Sequence, residues 1–197
     1  SIRDGPSRTT GLPQDIAMSD QADSQKIREL AQNIIMLILD VDGVLTDGGI
    51  ILIGQDEEAK RFDVQDGIGI VLARAAGLKT AIITSRHSAV VQRRAAELKI
   101  DEVIQGTSNK RDALDNILSV YGITDSQCAY IGDDLQDIPV MGRVGLPIAV
   151  QNAVRLVKDC SLHVTESSGG HGAVREAVEW LLGLRCERDS AYKTLTG

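Results

Sequence analysis

Two aspartates, Asp40 and Asp42, stand two positions apart directly after the apolar run 34–39. An apolar run without alternation is typical of a strand that is covered on both faces, as in the middle of a parallel sheet. Ligands of such sheets bind beyond the carboxyl ends of the strands. Two carboxylates held together there repel each other and lose hydration unless a divalent cation or a lysine offsets their charge. The pair therefore predicts a metal site in which one aspartate could act as a nucleophile and the other as its acid.

Two other interpretations of this motif involve no catalysis. Asp and Gly are common in turns, so a solvated turn explains the motif when it is considered alone. A calcium-binding loop needs a Gly at its sixth position and a Glu at its twelfth. Counted from Asp40, Gly43 is the fourth residue and Ile51 is the twelfth, which argues against a calcium loop.

The composition is that of one ordinary globular domain, with 197 residues of which 43% are hydrophobic. The net charge of −7 and the aromatic content of 3% argue against nucleic-acid binding. The three cysteines are odd in number and lack C-x-x-C spacing, which predicts reduced thiols and a cytoplasmic location. Apolar runs fall far short of the roughly 20 residues of a membrane helix, so no membrane role is predicted.

Alternating strand and helix patterns predict an α/β fold with a doubly wound parallel, Rossmann-like sheet. Segment 48–62 breaks the alternation and predicts a projecting β-hairpin. Residues 1–17 are predicted to be a disordered leader or an expression remnant, 18–185 the folded domain, and 186–197 a flexible tail. The predicted strands are 34–39, 79–84, 102–105, 128–132, 146–150 and 162–164, and the predicted helices are 22–32, 67–76, 89–98, 110–121, 135–143, 153–159 and 172–182.

Four chemically distinct clusters would lie at strand ends along one edge of this sheet. Each cluster alone has an ordinary structural explanation, such as helix capping. Together they provide what phosphoryl transfer requires: a nucleophile, a metal held by oxygens, a hydroxyl and a cation for the phosphate oxygens, and an acid for the leaving group. The clusters are Asp40 with Asp42, residues 84–86, residues 106–110, and residues 132–134 with Asp137.

The four clusters resemble, in order, the motifs of the haloacid dehalogenase superfamily: D-x-D-G first, a strand-ending Thr or Ser second, a Lys third and G-D-D-x-x-D last. The order differs from that of response-regulator receivers, which place the phosphoryl-accepting Asp on a middle strand. The superfamily resemblance alone does not imply whether a separate cap domain is present. A second set of matches points to a narrower family, whose members lack one.

The superfamily resemblance implies a role for each matched residue. Asp40 would attack phosphorus and form an aspartyl-phosphate. Asp42 would protonate the leaving alcohol and then deprotonate the hydrolytic water. The implied cofactor is Mg²⁺, bound by the Asp40 carboxylate, the Asp42 main-chain carbonyl and Asp133. The remaining implied roles are phosphate contacts by Thr84 and Lys110, and orientation of the metal-bound waters by Asp134 and Asp137.

A narrower resemblance covers residues 34–182 and is to the cap-less 3-deoxy-D-manno-octulosonate (KDO) 8-phosphate phosphatases. It rests on residues 40–48, 60–67, 81–86 and 169–176, together with the 105–110 loop. It implies hydrolysis of a small-molecule sugar phosphate in lipopolysaccharide biosynthesis, by a homotetramer in which a neighbour's hairpin closes each active site. The substrate-binding residues that it implies are Asp42, Asp63, Gln65, Asp66, Gly67, Arg86, Arg94 and Lys110.

The choice of sugar depends mainly on Arg86. Relatives that act on nine-carbon sialic-type 9-phosphates tend to lack an arginine there, so Arg86 favours the octulosonate. Ser85 stands where the family usually has Gly, His171 where it usually has Arg, and Val71 where many octulosonate enzymes have Arg. These departures leave sialic or KDN 9-phosphates and other sugar phosphates open as substrates. An inactive oligomerisation module would lack the nucleophile or the metal-binding acids, and none of these is missing.

Overall fold

The computed structural model describes residues 24–54 and 57–197, so the predicted leader, residues 1–17, lies outside the described residues. Six strands form one parallel sheet in the order β5-β4-β1-β6-β7-β8, which confirms the predicted doubly wound fold. The six predicted parallel strands are all present, with ends that shift by at most two residues. The strands are β1 (Met36–Leu39), β2 (Ile51–Ile53), β3 (Glu57–Ala59), β4 (Lys79–Ile83), β5 (Glu102–Ile104), β6 (Cys128–Gly132), β7 (Leu146–Ala149) and β8 (His163–Val164).

Helices cover both faces of the sheet, and side-chain caps explain where several of them begin. Asp63 accepts a hydrogen bond from the Gln65 N–H, so α2 begins before its predicted start at residue 67. Asn109 caps α4 in the same way, and Gly122, in the left-handed conformation, ends it as predicted. The helices are α1 (24–32), α2 (Val64–Ala75), α3 (Ala89–Leu98), α4 (Lys110–Tyr121), α5 (Ile138–Met141), α6 (Arg155–Asp159), α7 (Ala173–Leu184) and α8 (Arg188–Thr196).

The central strand β1 is flanked by β4 and β6 and is buried along its whole length. In the register of the sheet, Leu39 lies beside Ile82 of β4 and Ile131 of β6. The residues that follow these three strands therefore emerge side by side at one edge. This alignment brings the predicted motifs together.

The predicted β-hairpin is confirmed. Strands β2 and β3 pair antiparallel, with Ile51 opposite Ala59, and they form a separate two-stranded sheet. The first arm is apolar and exposed, and Leu52 keeps 74% of its surface accessible. Such exposure of a short apolar strand is unusual for a surface that meets only water.

Within the segment predicted to be a flexible tail, Arg188–Thr196 form α8. This helix packs against α2 and α7. Ala191 is buried, and the guanidinium carbon of Arg175 lies 5.8 Å from the centre of the Tyr192 ring. Two residues, Ala191 and Tyr192, do not form a recognisable apolar pattern in so polar a sequence. None of the helices in the described residues is long and apolar enough to cross a membrane.

Candidate active site

The four predicted clusters line one cavity of about 200 Å³ at the carboxyl edge of the sheet. The structure thus brings together eight of the predicted site residues. Two further residues line the cavity: Ser85, which lies in the predicted cluster 84–86 but was assigned no role, and Gln136, which was not predicted. The Ser85 hydroxyl donates to the Gln136 side-chain oxygen. The residues that line the cavity are Asp40, Asp42, Thr84, Ser85, Arg86, Lys110, Asp133, Asp134, Gln136 and Asp137.

The loop after β1 is held in place by contacts with β6 and the loop that follows it. The Asp40 N–H donates to the Ile131 carbonyl of β6 over 3.1 Å. Gly43 has a φ of +91°, which favours glycine, and a Cβ at this position would lie 1.9 Å from Asp133 Oδ2. The glycine of the D-x-D-G motif is therefore needed for its conformation and for the close approach of Asp133 to the loop.

Lys110 lies between two carboxylates at the floor of the cavity. Its Nζ is 2.9 Å from Asp40 Oδ1 and 2.8 Å from Asp137 Oδ1, and only 3% of its side-chain surface is accessible. Burial alone would lower the pKa of Lys110, but the charges of Asp40 and Asp137 outweigh it, so the pKa is raised. Lys110 is therefore a fixed cation beside Asp40, where it can also contact a phosphate group.

Asp137, which was predicted to orient metal-bound waters, accepts four hydrogen bonds from the protein itself. Its carboxylate accepts hydrogen bonds from Lys110 Nζ and, over 2.6 Å, from the Tyr130 hydroxyl. Its second oxygen accepts from the N–H groups of Asp133, at 2.9 Å, and Asp134, at 3.2 Å. Asp137 is completely buried, and these four donors leave it little capacity for another ligand. It fixes the loop after β6 and the position of Lys110.

Asp134, also predicted to orient metal-bound waters, makes a side-chain hydrogen bond within its own loop. Its side chain accepts a 2.7 Å hydrogen bond from the Leu135 N–H, which caps the short 3₁₀ turn after β6. The side chain still lines the cavity.

The acidic side chains of the site fit a divalent cation. Carboxylate oxygens of Asp40, Asp133 and Asp137 lie within 4.8 Å of one another. Asp133 Oδ1 is buried and has no hydrogen-bond partner within the described part of the chain. Burial, reinforced by the charges of Asp40, Asp137 and Asp134, raises the pKa of Asp133 to about 8. An oxygen-rich site with more anions than cations suits Mg²⁺, and the Asp40 and Asp133 carboxylates have the capacity to hold it.

The pKa of Asp40 supports the same conclusion. Burial raises it to about 6, although the ammonium group of Lys110 acts in the opposite direction. A nucleophile must be ionised, so Asp40 benefits from additional positive charge beside it.

Two residues of the hairpin, Lys60 and Glu58, reach the site although they were not among the predicted site residues. Lys60 Nζ donates to Asp42 Oδ1. Arg86 Nε lies 3.6 Å from Asp42 Oδ2, and Arg86 Nη2 donates to Glu58 Oε2 over 2.8 Å. The sequence contained one indication of these contacts, the opposite charges of Glu58 and Lys60 at the end of the predicted hairpin. The base of the hairpin thus lies beside the site of its own chain.

Asp66, a predicted substrate contact, caps a helix. It is 1% exposed, and its carboxylate accepts from the N–H groups of Gly172 (3.2 Å), Val174 (2.9 Å) and Arg175 (3.2 Å) at the start of α7. Carboxylates stabilise helix N-termini through such hydrogen bonds. These contacts give Asp66 a structural role in the described residues, and its contact with the substrate stays a prediction.

The other predicted substrate residues outside the cavity lie around α2 and α3. Gly67 is buried, and a Cβ there would lie 2.4 Å from Arg94 Nη2. Arg94 also pairs with Glu97 over 3.4 Å and lies over the ring of Phe62. Asp63 is the cap of α2, and Gln65 lines a separate cavity near α7. In the described residues, these positions do not border the cavity that contains Asp40.

Known proteins are similar to this chain in sequence and in fold. Residues 97–177 match the haloacid dehalogenase-like hydrolases. The chain is 44% identical over 168 residues to the 3-deoxy-D-manno-octulosonate 8-phosphate phosphatase KdsC of Escherichia coli BL21-DE3, a match that covers 85% of this chain and 89% of that protein. It is also 44% identical over 152 residues to KdsC of Yersinia pestis, covering 77% of this chain and 81% of that protein.

Solved structures agree. The 3-deoxy-D-manno-octulosonate 8-phosphate phosphatase of Moraxella catarrhalis, in complex with magnesium, phosphate and KDO, has a TM-score of 0.83 and 41% identity, covering 87% of this chain and 99% of that chain. A haloacid dehalogenase (subfamily III A) hydrolase from Legionella pneumophila has a TM-score of 0.86 and 39% identity, covering 90% of this chain and 98% of that chain.

Proposed function

This chain belongs to the 3-deoxy-D-manno-octulosonate 8-phosphate phosphatase family of haloacid dehalogenase-like hydrolases, and on that premise we propose that it hydrolyses KDO 8-phosphate to KDO and phosphate with Mg²⁺. The observation that carries the proposal is the convergence of Asp40, Lys110 and Asp133 with Arg86 in one cavity. The role in lipopolysaccharide biosynthesis and the cytoplasmic location belong to the same proposal.

The reaction consists of two displacements at phosphorus. A carboxylate oxygen of Asp40 attacks phosphorus, the bond to the sugar oxygen breaks, and Asp42 gives its proton to that oxygen. Asp42 then takes a proton from water, whose oxygen attacks phosphorus and releases phosphate from Asp40. Lys110 offsets the negative charge of the phosphate oxygens, and the Thr84 hydroxyl donates a hydrogen bond to them. Asp40, Asp133 and the Asp42 carbonyl would hold Mg²⁺, which would supply further positive charge for the phosphate when bound.

Arg86 is the residue that favours a sugar acid. Its side chain is 41% exposed and lines the cavity beside Asp42. A guanidinium group can bind a carboxylate through two parallel hydrogen bonds, and KDO carries a carboxylate as well as its phosphate ester. Arg86 would have to exchange part of its contact with Glu58 for this interaction.

A substrate panel tests the proposed function. With Mg²⁺, kcat/KM for KDO 8-phosphate is expected to exceed that for sialic 9-phosphate, KDN 9-phosphate and hexose 6-phosphates by about tenfold or more, because the hexose phosphates lack a carboxylate for Arg86 and the nine-carbon acids hold theirs one carbon further from the phosphate. EDTA should abolish phosphate release, and added Mg²⁺ should restore it. Preference for a 9-phosphate would overturn the choice of sugar, and undiminished turnover in EDTA would overturn the metal-dependent mechanism. No turnover of any substrate would favour the inactive oligomerisation module.

The proposal includes a homotetramer in which the hairpin of a neighbour helps to close each site. The apolar first arm of the hairpin supports it, since residues 50–53 are each at least half exposed in the single chain. A two-stranded hairpin is marginally stable without a partner surface. In such a tetramer, Asp63, Gln65 and Arg94 would contact the substrate of a neighbouring subunit, since they lie outside the cavity of their own chain.

Light scattering tests this assembly. The wild-type protein is expected to have the mass of a tetramer at micromolar concentration, and Leu52→Arg should reduce the mass because it places a charge on the apolar arm. Val120→Arg, at a position on α4 that is 64% exposed, is the matched control and should keep the tetramer. A monomeric wild-type protein would contradict the assembly.

A further inference from the structure

Four charged side chains connect the hairpin to the candidate active site, and we call Asp42, Glu58, Lys60 and Arg86 the hairpin charge cluster. Lys60 Nζ donates to Asp42 Oδ1 and lies 3.9 Å from Glu58 Oε1. Arg86 approaches the other oxygen of Asp42 and donates to the other oxygen of Glu58. Two cations and two anions therefore alternate beside the cavity, and Asp42 is contacted by both cations.

Lys60 is the most enclosed member of the hairpin charge cluster. Its side chain is 2% exposed, compared with 22% for Asp42 and 41% for Arg86. Withdrawing an ammonium group from water costs several kcal/mol unless close partners compensate. An exposed ion pair that only fixed the hairpin would avoid this cost and would contribute little. The buried ammonium group of Lys60 is therefore compensated chiefly by Asp42, the partner that it contacts most closely.

We propose that Lys60 is a positioning residue for Asp42: it holds Oδ1, so that Oδ2 is left to exchange a proton with the leaving-group oxygen. This inference rests on the proposed function, in which Asp42 protonates the leaving alcohol. A charge-assisted hydrogen bond to one oxygen restrains rotation of the whole carboxyl group. Proton transfer requires the acid to lie within hydrogen-bond distance of the atom that it protonates. Lys60 thus acts on kcat through Asp42 without contacting the substrate.

A purely structural role for Lys60 makes a different prediction. If Lys60 only anchored the hairpin, its loss would disturb every substrate to a similar extent. If it orients the acid, its loss should affect substrates according to how much their leaving group depends on a proton. A sugar alkoxide is a strong base and leaves only when it is protonated, whereas p-nitrophenolate is a much weaker base and leaves without a proton.

The test compares Lys60→Met with wild type on both kinds of ester. The rate measured is that of leaving-group release in the first turnover, because this step precedes the hydrolysis of the aspartyl-phosphate that both esters share. For the sugar phosphate that the wild-type enzyme hydrolyses fastest, this rate is expected to fall about 30-fold, within the range of general acid catalysis. For p-nitrophenyl phosphate it should fall less than about threefold. Lys60→Arg, which keeps the charge and a donor, should recover part of the rate on the sugar phosphate.

Controls separate this inference from folding and from the proposed function. Lys79→Met removes another lysine of an ion pair, 3.0 Å from Asp101 and remote from the cavity, and should change neither rate. If Lys60→Met does not fold, Lys60→Gln supplies the same comparison with an uncharged donor. Equal losses on both esters, or no loss on either, would overturn the positioning role. Absence of wild-type turnover on every phosphate ester would instead overturn the proposed function.

Discussion

Asp40→Asn is expected to lower the rate of phosphate release by about 10⁴-fold or more, as losses of nucleophiles do in other enzymes. The amide cannot form the acyl phosphate, because its nitrogen lone pair is delocalised into the carbonyl group and its oxygen, which lacks a full negative charge, is a poor nucleophile. The substitution preserves the shape of the side chain, so the Asp40 N–H can still donate to the Ile131 carbonyl and hold the loop. Phosphate release at saturating Mg²⁺ and substrate is the measurement.

The matched control is Asp47→Asn, in the same loop. Asp47 has 46% of its side chain exposed, and it accepts a hydrogen bond from the Gly49 N–H rather than facing the cavity. This variant should retain the wild-type rate within about threefold, since exposed substitutions remote from a site have small effects. Asp40→Asn activity above about 1% of wild type, in protein free of deamidation, would remove Asp40 from the role of nucleophile.

Asp137→Asn is expected to reduce the free energy of unfolding by about 3–5 kcal/mol, the usual cost of removing one member of a buried ion pair. Asp137 accepts from Lys110, Tyr130 and two backbone N–H groups. Each Asp137 oxygen accepts from two of these donors, so an amide, which turns one oxygen into a donor, would set two of the four donors against another donor. Lys110 would keep a single carboxylate partner, Asp40, in a site with little water.

Urea unfolding of the metal-free protein measures this effect, because the linear dependence on urea gives the free energy in water. Tyr130→Phe is the graded comparison: it removes one donor and leaves the Lys110–Asp137 pair, so it should cost about 1 kcal/mol. Equal costs for the two variants would show that Asp137 stabilises the protein through a single hydrogen bond rather than through the ion pair.

The catalytic cluster could be predicted from the sequence because each part follows a recognisable strand. Asp40, Thr84 and Asp133 come after apolar runs, and parallel strands end at a common edge, so their proximity required no knowledge of longer-range packing. The hairpin was also predictable, since apolar and charged segments flank the turn-like sequence of residues 54–57.

Roles that depend on distant partners could not be predicted. Asp66 resembles a substrate-loop residue in sequence, but its three donors lie 106–109 residues further along the chain. Lys60 reaches Asp42 only because the base of the hairpin lies against the loop after β1. The saturation of Asp137 depends on four donors that meet only in the folded protein. In each case the residue type indicated polar chemistry, and tertiary contacts decided which partner it would have.

The central position of β1 also shapes how the protein is made. The segment through β5, which ends at Ile104, contains both neighbours on one side of the sheet, but the opposite edge of β1 stays open until β6, ending at Gly132, has been synthesised. At about 5–20 residues per second, the ribosome takes roughly one to six seconds to add the residues between the end of β5 and the end of β6. During this interval the uncovered edge of Met36–Leu39, made of apolar residues, is a template for pairing with other chains. Ribosome-bound chains of this length are therefore the stage at which chaperone protection matters most.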